Sequence, residues 1–159
     1  HDSSSMIQTR GASSSVANDE VTKFSSLAST WWDPKSNPLI FMNPTRISFI
    51  VESLRQNGLV VDSRKNVPLE GLKALDVGCG GGLLSESLAK LGSNVTAIDP
   101  SQTIVNIARE HSKIDSRTSS INFRGDTSVE QLAEESQENE SLFDVICILE
   151  VIEHTNNPL

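Results

Sequence analysis

Leu72-Lys73-Ala74-Leu75-Asp76-Val77-Gly78-Cys79-Gly80-Gly81-Gly82-Leu83-Leu84 is the stretch whose reading decides the fold. Leu72 to Val77 reads as a short buried strand, and from Leu83 to Leu91 apolar side chains recur at helical spacing until Gly92 ends the run. The glycines therefore occupy a strand-to-helix turn. Lacking Cβ atoms, Gly78, Gly80 and Gly82 permit positive φ and let a ligand touch the main chain at a helix N-terminus. A unit of this kind opens an α/β sheet that binds a nucleoside-containing cofactor.

Spacing narrows the cofactor. A dinucleotide fingerprint, G-x-G-x-x-G, needs a third glycine for the pyrophosphate, and counted from Gly78 that position holds Leu83. An NAD-linked oxidoreductase remains an alternative without that glycine. Asp76 to Gly82 instead spells D-x-G-x-G-x-G, which resembles the first motif of class I methyltransferases that use S-adenosylmethionine, a cofactor with no pyrophosphate to hold. The next run, Asn94 to Asp99, is β-rich and ends in an acid 21 residues after Gly78. A carboxylate there accepts hydrogen bonds from ribose hydroxyls, so Asp99 is assigned as ribose ligand. Its competing role is to cap the following helix, Ile104 to Ser112, for which Pro100 and Ser101 also compete. A third strand, Ile121 to Arg124, ends at Gly125-Asp126, where that class often places a carboxylate near the adenine amine and where a plain turn fits equally well.

The fourth strand, Phe143 to Leu149, is an apolar run suited to a parallel strand covered on both faces. Glu150-Val151-Ile152-Glu153-His154 follows at its carboxyl end, the end that faces the ligand crevice of an open α/β sheet. If the chain is helical there, Glu150, Glu153 and His154 share a face at i, i+3 and i+4. Two carboxylates and an imidazole without a thiolate suit an octahedral divalent ion such as magnesium or manganese. They do not form an H-x-x-E-H zinc signature, because Glu150 stands at the first histidine position. The competing reading is a solvated acidic helix start.

Four motifs then fall in order: Lys23-Phe24 with Trp31-Trp32-Asp33, Asn43-Pro44-Thr45-Arg46, the glycine loop, and Glu150 to His154. Together, from about Val21 to the last residue, they resemble the ubiquinone-biosynthesis O-methyltransferase family. The resemblance implies a Rossmann-like class I methyltransferase sheet with helices on both faces, here truncated after the fourth strand. It implies an enzyme that methylates catechol-type hydroxyls of polyprenylated benzoate or quinol intermediates. Carried over residue by residue, Arg46, Gly78, Asp99 and Leu149 would contact S-adenosylmethionine, beside Gly80 and Gly82 of the loop, and Glu150, Glu153 and His154 would bind Mg2+ or another divalent cation. His154 as general base is the runner-up to metal activation. The implied setting is the matrix side of the mitochondrial inner membrane, with peripheral attachment and a place in a ubiquinone-biosynthesis complex.

The remaining sequence frames this reading. Val21 to Trp32, and Ile47 to Leu54 after the Asn43-Pro44 start signal, read as helices of an N-terminal cap over residues 21–71, ahead of an S-adenosylmethionine-binding half-domain at 72–159. Arg46 is the only basic residue between Lys35 and Arg55 and can hold a carboxylate bidentately. Trp31 and Trp32 read as a packing pair, with a greasy substrate tail or a membrane interface as the alternatives. Of 159 residues, 36% are hydrophobic and 21% charged, and the net charge of -8 argues against nucleic acid as a partner. The acids of Glu130 to Glu140 read as a solvated helix and loop. Two cysteines, Cys79 and Cys147, form neither a metal pattern nor a disulfide framework and suit a reducing compartment. The serine-rich, acid-poor start, His1 to Asn18, reads as a transit-peptide remnant within a disordered segment over residues 1–20, and both ends read as cut. A non-catalytic nucleoside-binding fragment is accordingly the third reading.

Overall fold

The computed structural model describes residues 30–60, 66–139 and 142–154. Helix α1 (Leu39–Gln56) precedes strand β1 (Lys73–Val77), and then come α2 (Leu83–Lys90), β2 (Asn94–Ile98), α3 (Gln102–Ser112), β3 (Asn122–Arg124), α4 (Val129–Asn139) and β4 (Val145–Ile148). The strands form one parallel sheet in the order β3-β2-β1-β4. Parallel neighbours demand crossovers, and α2, α3 and α4 supply them. Because β2 lies on one side of β1 and β4 on the other, the winding reverses at β1, and a crevice opens at the carboxyl ends of these strands.

Alternation along the strands divides the core. Ala74, Val95, Ala97 and Cys147 face a large cluster with Leu84 and Leu88 of α2, Val105 and Ala108 of α3, and Ile50 and Leu54 of α1. Leu75 and Ile98 point the other way, with Leu132 of α4. Helices thus cover both faces, as the sequence predicts. α4 keeps Leu132 buried and shows Glu130, Glu134 and Glu135 to solvent, and Glu135 accepts two hydrogen bonds from Arg124 at 2.7 and 2.8 Å. Among the described residues no helix is long and apolar enough to cross a membrane.

α1 departs from expectation by starting at Leu39 rather than Ile47. The start signal is Asn37-Pro38, not Asn43-Pro44: Asn37 Oδ1 accepts the Leu39 N–H at 3.1 Å, while its Nδ2 donates to the Trp31 carbonyl at 2.8 Å. Pro44 lies inside the helix, where it offers no N–H to the Ile40 carbonyl. Asn43 compensates by tying α1 to α2, its Nδ2 donating to the Leu83 carbonyl at 3.2 Å and to Ser87 Oγ at 2.8 Å. The helix expected over Val21 to Trp32 lies outside the described residues except at Thr30 to Trp32, which form a turn. The expected disordered segment at 1–20 lies wholly outside them.

Candidate cofactor site

A cavity of about 260 Å³ fills the crevice at the ends of β1, β2 and β4. Arg46, Gly78, Gly80, Asp99 and Leu149 line it, as do Glu150 and His154. Gly82 and Glu153 do not. Five of the six residues assigned to the cofactor thus meet around one space, although they come from α1, the glycine turn and the ends of β2 and β4.

The turn is built by hydrogen bonds to β2. Gly78 and Cys79 both donate to the Ile98 carbonyl, at 2.9 and 3.0 Å, and the Gly80 N–H donates to Asp99 Oδ2 at 3.0 Å. Gly78, Gly80 and Gly82 hold φ of 72°, 52° and 90°, which only glycine adopts freely. The space their missing side chains leave is used by the protein itself. A Cβ on Gly78 would run into Val151, and one on Gly80 or Gly81 into the Trp31 ring. Gly81 has no positive φ, so close approach of Trp31 alone requires it. Gly82 packs against Ala108 and Phe123 instead of facing the cavity.

Two carboxylates lie beneath this turn. Asp99 accepts from Gly80 and, through Oδ1, from the Ser101 N–H at 2.8 Å; burial raises its pKa and the two N–H donors oppose that rise. The cap of α3 is Ser101, whose Oγ accepts from Ile104, so Asp99 is not the helix cap. Asp76 is 3% exposed and takes a 2.6 Å hydrogen bond from Ser85 Oγ. Burial pushes its pKa up to about 7, Asp99 adds to the rise, and Ser85 and Arg46 pull against it. The sequence shows this acid only as a motif letter; its depth follows from its place at the centre of the sheet. Asp126, by contrast, is an exposed left-handed turn residue (φ 49°) away from the cavity wall.

The acidic end of β4 is where expectation and structure part. Glu150 takes a left-handed conformation (φ 57°), and a short 3-10 turn begins only at Ile152. Glu150, Glu153 and His154 therefore share no helix face. The chain must swing off the sheet at Glu150, and its carboxylate turns to Arg46, with Nη2 and Oε1 2.8 Å apart but not aligned as a hydrogen bond. His154 Nε2 lies 3.9 Å from Glu153 Oε1, and Glu153 is half exposed. Among the described residues no three His, Cys, Asp or Glu side chains converge on one point. Magnesium wants several oxygens at short range in octahedral geometry, and these three residues as placed do not fit it.

Trp31 and Trp32 pack, as the sequence predicts, yet Trp31 also walls the cavity, which sequence reasoning missed. Trp32 Nε1 donates to the Gly81 carbonyl at 3.0 Å, and its ring stacks on His111 at 3.5 Å and 5°. His111 Nδ1 is 2.7 Å from Glu86, a buried carboxylate that also pairs with Lys90 at 3.3 Å. The available signal was Gly81, a glycine beyond those the turn geometry needs.

Comparison with known proteins fixes the family. The model for the family described as "Methyltransferase domain" matches residues 75–159, more than half of the chain. The chain belongs to that family. The chain is 44% identical over 149 residues to the mitochondrial ubiquinone biosynthesis O-methyltransferase of Arabidopsis thaliana, covering 92% of the chain and 44% of the relative. It is 40% identical over 148 residues to the ubiquinone biosynthesis O-methyltransferase of Rhizobium leguminosarum bv. trifolii (strain WSM2304), covering 92% and 56%. The chain thus spans about half the length of the curated relatives it matches. Among solved structures, magnesium protoporphyrin IX methyltransferase from Synechocystis PCC 6803 with bound SAM superposes with a TM-score of 0.54 at 20% identity, covering 91% of this chain and 66% of that one. Monomeric WbdD superposes with a TM-score of 0.52 at 27% identity, covering 69% and 24%. The first of these likenesses carries the fold alone.

Proposed function

We propose that this methyltransferase domain binds S-adenosylmethionine and belongs to an O-methyltransferase acting on catechol-type hydroxyls of polyprenylated benzoate or quinol intermediates in ubiquinone biosynthesis. The observation that carries the cofactor is the cavity wall, in which the Gly78 and Gly80 backbone, Asp99 and Arg46 surround one space. Asp99 stands at the end of β2, where ribose hydroxyls bind, and the Arg46 guanidinium suits a carboxylate. Asp76, Asp99 and Glu150 outnumber Arg46 and favour a ligand bearing positive charge, such as a sulfonium and an ammonium. The same surroundings oppose a dinucleotide, because Leu83 occupies the position of the third glycine and lines the cavity, and Arg46, among the described residues the one Lys or Arg on the cavity wall, already faces Glu150 at 2.8 Å.

When bound, S-adenosylmethionine would supply an activated methyl group to the phenolic oxygen, with S-adenosylhomocysteine as the leaving group on the opposite side of the methyl carbon. In this reading Asp99 and Arg46 hold the two ends of the cofactor, and so convert a bimolecular encounter into an oriented one. His154 lines the same wall, and this reading makes it the candidate to take the phenolic proton, as the alternative to metal activation. Magnesium belongs to the proposal only by resemblance: Glu150 would have to leave Arg46 before it could join Glu153 and His154, and no step here is routed through the ion. The 44% identity to a relative named as mitochondrial supports a mitochondrial location, and the finer expectation is peripheral attachment on the matrix side of the inner membrane, where a prenylated substrate resides. A biosynthetic complex and the prenylated phenol are the partners this reading names.

Titration calorimetry of the full-length protein with S-adenosylmethionine, S-adenosylhomocysteine and NAD tests the cofactor. Binding of the first two without NAD is the expected result, and NAD binding alone refutes the proposal. Methyl transfer to a prenylated catechol with and without chelator then tests the substrate and the ion.

A further inference from the structure

Two buried N–H groups around the cavity make no hydrogen bond, although Arg46 Nη2 lies 2.8 Å from Glu150 Oε1 as an ion pair. Among the described residues, Trp31 Nε1 and Arg46 Nη2 are inaccessible to solvent and make no hydrogen bond, and both residues line the same cavity. A buried donor without a partner keeps the cost of losing its water, and such groups are rare in folded proteins unless a ligand completes them. Arg46 comes from α1 and Trp31 from the turn before it, joined to α1 through Asn37, so the two donors are held by one continuous piece of chain. The Trp31 ring is fixed in place by its fit on Gly80 and Gly81, and its neighbour Trp32 is fixed by the Gly81 carbonyl and His111. These anchors leave the indole N–H of Trp31 beside the turn with nothing to accept it.

We infer that Trp31 is a cofactor-binding residue, its indole N–H and the Arg46 guanidinium together holding the carboxylate of the cofactor's amino-acid portion. The inference deepens the S-adenosylmethionine reading and rests on it. A carboxylate is the part of that ligand with several acceptor lone pairs and negative charge, and it alone satisfies a neutral and a charged donor at once. The cationic ammonium offers no acceptor, and the adenosine portion has the Asp99 side of the cavity.

The test compares S-adenosylhomocysteine with 5′-methylthioadenosine, which keeps the nucleoside and lacks the amino-acid portion. Calorimetry on the full-length protein should show Trp31→Phe binding S-adenosylhomocysteine about tenfold more weakly, the range of one hydrogen bond to a charged group, while 5′-methylthioadenosine binds as to wild type. Equal affinities of wild type and Trp31→Phe for S-adenosylhomocysteine overturn the inference, and so does an equal loss for both ligands, which would make Trp31 a packing residue only. A second measurement needs no variant to fold. In wild type labelled at the indole nitrogens, the Trp31 N–H resonance, assigned by a through-space contact to Gly80, should move downfield with S-adenosylhomocysteine and not with 5′-methylthioadenosine. No movement, or the same movement with both, overturns it. Failure of wild type to bind either nucleoside would instead count against the cofactor reading itself, and the two failures are thereby separable.

Discussion

Replacing Asp76 with asparagine should change how stability depends on pH, and the structure sets the size of the change. The Asp76 carboxyl is buried at the centre of the sheet, with Ser85 donating to it, and its pKa is raised from 3.8 to about 7. A carboxyl whose pKa is raised on folding holds its proton in the native state while the unfolded chain has already lost it. Stability is therefore complete below about pH 4 and falls as pH rises toward 7. At about 1.4 kcal/mol for each pH unit of that window, the loss by pH 8 is about 4 kcal/mol. Asparagine has nearly the same shape, still accepts the Ser85 hydroxyl, and cannot ionise. In ligand-free protein, Asp76→Asn should match wild type within about 1 kcal/mol near pH 4.5 and exceed it by several kcal/mol at pH 8. Urea unfolding at a series of pH values measures the difference, which cancels the titrating groups that do not couple to Asp76 and keeps the Asp76–Asp99 coupling within it. Parallel stability curves from pH 4.5 to 8 would refute the reasoning, since they would mean that Asp76 ionises as readily when folded as when unfolded.

The same carboxyl predicts the pH dependence of binding: a cationic cofactor favours its charged form, so S-adenosylmethionine affinity should rise from pH 6 to 8 with release of a proton, seen as binding heats that vary with the buffer, and Asp76→Asn should flatten that rise. Gly81→Ala places a Cβ in the Trp31 ring, and overpacking of that kind costs about 1 to 3 kcal/mol of stability; the double variant with Trp31→Ala should recover most of it, and simple additivity of the two changes in a double-mutant cycle would contradict the packing described. Asp99→Ala should weaken S-adenosylmethionine binding by about 1 to 3 kcal/mol in calorimetry, through lost ribose contacts and through release of the Gly80 N–H it holds, and unchanged affinity would remove Asp99 from the site.

Much of this was legible before the structure. The strand, glycine turn and helix from Leu72 to Leu91 are local, and their periodicity and positive-φ glycines state the backbone directly; β2 and its terminal Asp99 follow from the same unit. α1 was legible as a helix but not at its start, because Ser36-Asn37-Pro38 and Met42-Asn43-Pro44 carry the same N-terminal signal, and only the Asn37 contacts to Leu39 and Trp31 tell them apart. Glu150 was misread because helical spacing presumes helical φ, and a residue leaving a strand through the left-handed region breaks the spacing at its first step. The Trp31 wall was invisible because it depends on a contact between segments distant in sequence. Nothing in Trp31-Trp32 themselves distinguishes a ring on a glycine backbone from a ring in a core.

The fit of Trp31 on Gly80 and Gly81 bears on how the cofactor turn can be moved or remade. Those two glycines answer to an aromatic ring that arrives from the segment before α1, and the Trp32 bond to Gly81 spans 49 positions. The turn is thus only half of a mould whose other half is cast elsewhere in the chain. Grafted alone onto another parallel sheet, Leu75 to Gly82 would keep its glycine dihedral angles and lose a face of its cavity. A transplant that works must carry the Trp31 turn, the Asn37 bond and the start of α1 along with it.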